Sequence, residues 1–420
     1  MTKNKISFVG MTHLGLNMAV GTAMKGFRVI CYDEDIKLIE NLNKNKLHIN
    51  EPNLEKNIKK FNNNILFTSD LKQLNKSEII YISLDIETDN KGNSCLEPLR
   101  ALIKTVDMKV NKDIIMVLLS QVHPTFSREL KIKREFYYQV ETLIFGKALE
   151  RVIEPERIIV GSKNKEISRN YKKFLEKFTK NIFLMSLESA EFAKISINCF
   201  LMSSVTTTNT LSEICEHMDA NWEDIASSLK FDKRIGRYAY LKPGLGISGG
   251  NLERDLTTVI NISKKFGTYN GLFNSWLENS YYRKNWVFNI LYDLILSKIK
   301  NPSISIWGLT YKENTNSIKN SPALDLLLKI KHHNIKVYDP VVKKIRVNSL
   351  IINSEKNLAK SLQNSDVLCI MTNWDIFKTK IALEAIQKMK NKIIIDPMLV
   401  LRKNISLDNL QHIYMGKKND

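Results

Sequence analysis

Short apolar runs alternate with amphipathic stretches at both ends of the chain. Runs of this length without a polar alternation are typical of parallel strands that are buried on both faces. They predict an α/β fold with one sheet in each half of the chain. The runs are Ile6–Val9, Phe27–Tyr32, Ile79–Leu84, Ile114–Leu119 and Ser303–Trp307, and those that begin at Ile335, Asp366 and Ile393.

Between the two halves, residues 189–217 have the apolar spacing of long helices. We expect most of these apolar residues to lie in a core, and the length and stripe of the helices to support a homodimer. The stripe consists of Phe192, Ile195, Cys199, Leu201, Leu211 and Ile214.

Composition narrows the class of partner. The 420 residues carry 63 Lys and Arg against 44 Asp and Glu, a net charge of +19. This charge favours anionic ligands. Its lysines are dispersed rather than clustered with aromatic residues, which argues against nucleic-acid binding.

Cysteine usage and hydropathy indicate a location in the cytoplasm. The five cysteines are odd in number and lack the spacing of metal ligands, which suits a reducing compartment, so we expect no metal site. No apolar run reaches the ~18 residues of a membrane span, and the start of the chain, Met1–Lys5, is polar. We therefore expect a soluble protein with no membrane association.

The first strand leads into a dinucleotide-binding fingerprint. Gly10 and Gly15 occupy the outer positions of G-x-G-x-x-G, Thr12 replaces the middle glycine, and Asp33 follows at the end of the next strand. An acidic residue there accepts hydrogen bonds from ribose hydroxyls and repels a 2′-phosphate. The pattern therefore favours NAD over NADP as the cofactor.

A second candidate site is the stretch Pro243–Asp255, which contains four glycines. Glycine at this density is tolerated where the main chain takes positive φ or approaches a ligand closely. This stretch resembles the active-site loop P-G-x-G-[FY]-G-G-x-C-[FL]-P-K-D of the UDP-glucose/GDP-mannose dehydrogenase family. Other segments in the same order, such as Ile49–Glu55 and Pro155–Gly161, resemble further motifs of that family.

The resemblance extends from Lys5 to Asp396 and implies the domain order. An NAD-binding Rossmann domain is expected over residues 1–185 and a central helical dimerisation domain over 186–290. A Rossmann-like domain that binds the nucleotide sugar, a UDP- or GDP-sugar, is expected over 291–420.

The resemblance also implies roles for individual residues. Gly10, Thr12, Gly15, Asp33, Ser120 and Lys319 are expected to contact the cofactor. Glu141, Leu143, Arg234, Gly246, Gly249, Gly250, Tyr311 and Lys312 are expected to contact the substrate, Arg234 that of a neighbouring subunit and Lys312 its phosphate. The expected catalytic residues are Lys194 and Asn198, one helical turn apart, with Asp255 and Asn251.

The departures from the family pattern fall in one half of its mechanism. Asn251 replaces the nucleophilic cysteine, Phe145 the proposed base for thioester hydrolysis, and Gln121 the threonine that helps position water. All three act after the first hydride transfer. In addition, Asp85–Glu87 stands in place of the V-P-T-P segment that contacts the cofactor.

These losses lead to two hypotheses. The first is an NAD-dependent nucleotide-sugar oxidoreductase limited to two-electron chemistry, either alcohol to carbonyl or epimerisation, in surface polysaccharide synthesis. The second is a catalytically silent homologue that binds nucleotide or pairs with an active dehydrogenase. Retention of Lys194, Asn198 and Lys312 favours the first, and the changes at Thr12 and Asp85–Glu87 favour the second.

Overall fold

The structure is a computed structural model that describes residues 5–89, 92–347, 350–389, 391–401 and 410–418. The chain forms two compact units, Met1–Ile197 and Asn198–Asp420. Within the described residues, none of the helices is both long enough and apolar enough to cross a membrane.

The amino-terminal unit contains an eight-stranded sheet with the order β3-β2-β1-β4-β5-β6-β7-β8. Adjacent strands are parallel except for β6 and β7, which are antiparallel. The first six strands have the order of a dinucleotide-binding fold, in which ligands bind at the carboxyl ends where the order reverses. The strands are β1 (Lys5–Val9), β2 (Arg28–Tyr32), β3 (Ile65–Thr68), β4 (Ile79–Ile82), β5 (Ile115–Leu118), β6 (Phe136–Gln139), β7 (Ile158–Ser162) and β8 (Ile182–Ser186).

Helices cover both faces of this sheet, and each face has its own apolar core. Alternate residues of β1 show why the strand is apolar throughout: Phe8 lies in one core and Val9 in the other. The helices are α1 (His13–Met24), α2 (Ile36–Asn43), α3 (Leu54–Lys60), α4 (Glu97–Lys109), α5 (Phe126–Glu129), α6 (Ala148–Ile153), α7 (Arg169–Leu175) and α8 (Leu187–Glu216).

The carboxy-terminal unit begins with helices and continues into a second parallel sheet of order β10-β9-β13-β14-β15. A small antiparallel hairpin, β11–β12, lies outside that sheet. The helices are α9 (Trp222–Leu229), α10 (Asn251–Phe266), α11 (Gly271–Lys284), α12 (Trp286–Leu291), α13 (Pro322–Ile330), α14 (Leu358–Leu362) and α15 (Lys380–Gln387). The strands are β9 (Ser303–Trp307), β10 (Asn334–Tyr338), β11 (Lys344–Val347), β12 (Leu350–Asn353), β13 (Val367–Ile370), β14 (Ile393–Ile395) and β15 (Gln411–Ile413).

The predicted α/β class, with one sheet in each half of the chain and helices in the segment between them, is confirmed. The prediction of core positions along α8 was partly wrong. Ile195 is buried, but Phe192, Leu211 and Ile214 are 47%, 43% and 50% exposed. The apolar stripe on this long helix therefore includes residues that the described part of the chain leaves exposed.

The loop after β5 is fixed by a buried carboxylate of α8. Glu191 is fully buried, and its two carboxylate oxygens accept the backbone amides of Thr125 and Ser127, each at 2.7 Å. This loop includes Ser120, which is expected to contact the cofactor, and Gln121, which replaces the family threonine that helps position water. The end of the loop that leads into α5 is therefore held by one side chain of α8.

We expect Glu191→Gln to lower the free energy of unfolding by about 1–3 kcal/mol. The amide has only one acceptor oxygen, so its NH2 group faces one of the two backbone donors. Denaturant unfolding of both proteins measures the loss. The matched control is Glu188→Gln on the same helix, which removes a half-exposed ion pair with Arg128 and is expected to cost much less. Equal stability of the wild type and Glu191→Gln would contradict this account of the loop.

Candidate active site

The turn after β1 carries the first group of expected cofactor residues. Gly10 has a φ of +95°, in the left-handed region that favours glycine, and its amide donates to the carbonyl of Tyr32 at 2.9 Å. The next amide, that of Met11, donates to the Asp33 carboxylate at 2.7 Å. The end of β2 thereby fixes the turn from which α1 begins.

The start of α1 differs from the usual fingerprint at one position. A β-carbon on Gly15 would stand 1.9 Å from the carbonyl oxygen of Gly10, so the close approach of helix and turn requires glycine. Thr12 is the N-cap of α1. Its hydroxyl donates to the carbonyl of Ser83 and accepts from the amide of Asp85, both at 3.1 Å. Residue 12, where the fingerprint has its second glycine, is thus hydrogen-bonded to the loop after β4.

These residues fit a nicotinamide dinucleotide. Asp33 is partly exposed, and its two oxygens each accept one backbone amide, from Met11 and Asp35, which leaves lone pairs for ribose hydroxyls. The amide end of α1 would hold the diphosphate, and the bound cofactor would accept a hydride. Ser120, directly beyond β5, is buried, and its hydroxyl is 3.5 Å from the carbonyl of Ile82.

A cluster beside this turn was not foreseen from the sequence. The His13 ring lies 4.0 Å from the Phe145 ring between centroids, and its Nε2 bonds to the Glu51 carboxylate at 2.9 Å. Glu51 also accepts the amides of Gly146 and Ala148 at 3.0 and 2.9 Å. Burial alone would raise the pKa of Glu51, but the hydrogen bonds from His13, Ala148 and Gly146 outweigh it and lower the pKa.

Lys194 and Glu141 form the part of the expected catalytic centre that lies in the amino-terminal unit. The Lys194 ammonium, on α8 and nearly buried, is 3.0 Å from the Glu141 carboxylate. Glu141 follows β6, and its other carboxylate oxygen accepts the amide of Leu143. The structure therefore brings together three of the residues expected from the sequence, with the ammonium oriented by a carboxylate.

In the carboxy-terminal unit, side chains of two helices hold the glycine-rich loop, residues 243–255. The Asn209 side chain of α8 accepts the amide of Gly244 at 2.8 Å. The Ser280 hydroxyl of α11 accepts the amide of Ile247 at 2.7 Å. Neither Asn209 nor Ser280 was identified from the sequence.

The loop also packs against the segment after β9. The Asn320 amide donates to the carbonyls of Ile247 and Gly249, each at 3.3 Å. Gly249 has a φ of +76°, and a β-carbon there would lie 2.8 Å from the Tyr311 ring. Burial raises the pKa of Tyr311 to about 12, with a smaller contribution from Glu313. Tyr311 is therefore a neutral aromatic wall of the loop.

The remaining glycines and Lys312 lie in the same region. A β-carbon on Gly246 would lie 2.5 Å from the carbonyl oxygen of Ser280, and Gly250 is the N-cap of α10. The Lys312 ammonium lies 5.9 Å from the centroid of the Tyr311 ring. The predicted substrate-binding residues of the loop and of the β9 segment thus share one neighbourhood.

The first turn of α10 holds the other expected catalytic residues. Asn251 is the first residue of the helix and is exposed. Asp255 is buried, accepts a hydrogen bond from the Asn198 amide, and lies 3.3 Å from the Arg254 guanidinium. Arg254, which replaces the family lysine, therefore keeps a cation beside this carboxylate.

Two predicted residues have other surroundings. The Arg234 side chain is 89% exposed and pairs with Asp232 at 2.6 Å, rather than with the glycine-rich loop. Lys319 interacts electrostatically with Glu253 of that loop. Burial raises the pKa of Glu253, and the charges of Lys284 and Lys319 lower it in part.

Lys242 is a further residue that the sequence reasoning missed. It directly precedes the loop, and its pKa is lowered by burial, with an opposing effect of Asp396 at the end of β14. A cation at this strand edge is suited to an anionic ligand. The sequence feature that could have identified Lys242 is its position immediately before Pro243.

Cys199 is the cysteine next to the expected catalytic residues. Burial, and secondarily the negative charge of Asp255, raise its pKa to about 11. A thiol of this kind is protonated at neutral pH, and the thiolate is the nucleophilic form. Among the described residues, no group of three or more His, Cys, Asp or Glu side chains is arranged to hold a metal ion.

Three family models match the chain in sequence order. They are the NAD binding domain of the UDP-glucose/GDP-mannose dehydrogenase family over residues 4–179, the central domain over 188–280 and the UDP binding domain over 305–403.

Individual proteins match over nearly the full length. UDP-glucose 6-dehydrogenase TuaD of Bacillus subtilis is 28% identical, with 97% of this chain and 91% of that protein covered. UDP-glucose 6-dehydrogenase of Rickettsia bellii is 26% identical, with 97% of each covered.

Solved structures share the fold. A UDP-glucose dehydrogenase from Pyrobaculum islandicum superposes with a TM-score of 0.81 at 20% identity, covering 99% of this chain and 97% of that one. UDP-D-ManNAc dehydrogenase from Pyrococcus horikoshii gives 0.83 at 21% identity, covering 99% and 100%.

The cluster around Glu51 leads to a prediction about stability and pH. Because the pKa of Glu51 is lowered in the folded state, its ionised form stabilises the fold above its unfolded pKa of about 4.3. We expect Glu51→Gln to cost about 1–3 kcal/mol near pH 7. The difference from the wild type should shrink as the pH falls through the folded pKa.

Denaturant unfolding at several pH values measures this difference. Glu55→Gln on α3 is the matched control, since Glu55 is more than half exposed and pairs with Lys59. A stability difference for Glu51→Gln that does not change with pH would contradict the assigned role of the Glu51 charge.

Proposed function

Because this chain belongs to the UDP-glucose/GDP-mannose dehydrogenase family, we propose that it is an NAD-dependent oxidoreductase of a nucleotide sugar in surface polysaccharide synthesis. We propose further that it transfers one hydride reversibly and makes no sugar acid. The product is then a carbonyl compound, or an epimer formed through a transient ketone. The match to the UDP binding domain favours UDP over GDP, and the cytoplasm is the expected location.

The single observation that carries the proposal is the Lys194–Glu141 pair, with 3.0 Å between ammonium and carboxylate. A nearly buried ammonium is a strong donor to the alkoxide oxygen that forms as the sugar hydroxyl loses its proton, and the carbonyl then forms as the hydride leaves the same carbon. Glu141 orients the ammonium and, as a carboxylate, would take up the hydroxyl proton. Asn198, held by Asp255, would supply a second donor.

The limit to two electrons rests on what this chain lacks after the first hydride transfer. A sugar acid requires a nucleophile that holds the aldehyde for a second oxidation. Asn251 is an amide, whose nitrogen lone pair is delocalised, and the thiol of Cys199 has a pKa raised to about 11. Phe145, whose ring packs against that of His13, replaces the carboxylate expected to activate water.

We therefore expect no uronic acid from the wild type, and none at a useful rate from Asn251→Cys. Each missing general base or positioning group is worth roughly 10²–10⁴ in rate. The single mutant should stay far below the triple change Asn251→Cys, Phe145→Glu and Gln121→Thr. Incubation with NAD and a panel of UDP- and GDP-sugars, followed by mass spectrometry, detects a product with one more oxygen and two fewer hydrogens.

The same incubation separates the alternatives. Reduction of NAD with a carbonyl or epimeric product, lost in Lys194→Met, supports the proposal. Steady uronic acid production by the wild type would overturn the two-electron limit, and Cys199→Ser then tests whether that thiol is the nucleophile. Tight nucleotide binding with no change in any sugar would instead support a catalytically silent homologue.

We also propose that the protein is a homodimer through α8. In the carboxy-terminal unit this helix exposes Phe200, Leu211 and Ile214, which are 79%, 43% and 50% accessible. At 100° per residue they lie within an arc of roughly 60°. A second copy of the chain would cover this apolar stripe, and the exposed Arg234 would be available to the substrate of that copy.

Ile214→Lys is expected to shift the protein toward monomer because it places a charge in the centre of an apolar contact. Light scattering at micromolar concentration measures the mass. Met108→Lys is the matched control, since Met108 is 67% exposed on α4 outside the stripe. A monomeric wild type, or an unchanged dimer in Ile214→Lys, would contradict the proposed interface.

A further inference from the structure

The loop after β4 places a carboxylate at the amino terminus of α1. The Asp85 amide donates to the Thr12 hydroxyl at 3.1 Å, and the Asp85 carboxylate accepts the Leu14 amide at 3.4 Å. Leu14 is the second residue of α1, whose amide has no partner within the helix. α1 has no acidic residue in its own first turn. Asp85 supplies the negative charge that this helix end favours.

That same helix end is where dinucleotide-binding folds place the diphosphate of the cofactor. An anionic ligand and the Asp85 carboxylate therefore compete for one set of donors, and they also repel each other. Asp85 is accessible to solvent, so its carboxylate can turn away when a ligand arrives. Thr12 keeps the backbone of the loop in place, because its hydroxyl bridges Ser83 and Asp85.

We propose that Asp85 is an internal competitor of the cofactor diphosphate and that it sets a weak, pH-dependent affinity for NAD. This inference rests on the proposed NAD-dependent function and adds an affinity-determining residue to it. The cofactor binds most tightly when Asp85 is neutral or displaced.

Neighbouring groups shift the pKa of Asp85 in opposite directions. Desolvation by the neighbouring protein atoms raises it, His13 and the Thr12 hydroxyl lower it in part, and Glu141 raises it. His48 also interacts electrostatically with Asp85. Protonation of Asp85 removes a negative charge from the start of α1, so anion binding is favoured as the pH falls.

The test measures binding of ADP-ribose, which carries the diphosphate but cannot undergo hydride transfer. We expect Asp85→Asn to bind it about three- to tenfold more tightly than the wild type near pH 8, by calorimetry. The ratio of the two affinities should fall toward one as the pH is lowered through the raised folded-state pKa of Asp85, because the wild-type carboxylate then takes up a proton.

Two controls separate competition from a general charge effect. Glu87→Gln removes the same charge from the same loop at an exposed position and is expected to change the affinity far less. Adenosine lacks the diphosphate, so its affinity should be equal in the wild type and in Asp85→Asn.

The inference is supported if Asp85→Asn binds ADP-ribose more tightly than the wild type and Glu87→Gln does not. This result supports the inference even if the wild type shows no binding. Unchanged affinity in Asp85→Asn, an equal gain in Glu87→Gln, or an equal gain for adenosine would overturn it while NAD binding by the wild type still stands. Failure of both proteins to bind ADP-ribose and NAD would overturn the proposed function and this inference together.

Discussion

The turn after β1 depends on a contact with the end of β2. The carbonyl of Tyr32 accepts the amide of Gly10 at 2.9 Å, and the next carboxylate, Asp33, accepts the amide of Met11 at 2.7 Å. Tyr32, the last residue of β2, and Asp33 directly after it thus accept the consecutive amides of Gly10 and Met11. These two amides lie beyond the end of β1 and would otherwise be left without partners. The direction of α1, and with it the placement of Thr12 and of the expected diphosphate site, follows from this contact.

In the second sheet, the turn after β9 is held by the same pair of contacts to the end of β10. Gly308, with a φ of +92°, donates to the carbonyl of Tyr338 at 2.8 Å, and Leu309 donates to Asp339 at 2.8 Å. The two aspartates differ in what remains available. Asp339 is fully buried and accepts four backbone amides, whereas Asp33 is partly exposed and accepts two. The first aspartate can therefore hold a ribose as well as the turn, while the second is structural.

The strands could be predicted because a strand buried on both faces is a continuous apolar run, as in Ile79–Ile82. The fingerprint residues could also be predicted because they are close in sequence. The cluster of His13, Glu51 and Phe145 could not, because its members come from three segments that are distant in sequence and their motifs do not indicate which side chains meet. Asn320 is a similar case. Its side-chain amide supports the glycine-rich loop, although Asn320 lies in the segment after β9, about 70 residues later in the chain. Contacts of this kind depend on tertiary packing rather than on local pattern.

The glycine-rich loop keeps its shape without help from residue 251. Its described supports include hydrogen bonds from its main chain to the side chains of Asn209, Ser280 and Asn320 and the packing of Gly249 on Tyr311. Asn251, in contrast, is exposed at the first position of α10. A cysteine there can be exchanged for asparagine at little cost in folding energy, because no buried contact is lost. The scaffold and the nucleophile are thus physically separable. This separation explains how a chain can retain the loop and the buried Asp255 while an asparagine stands at position 251.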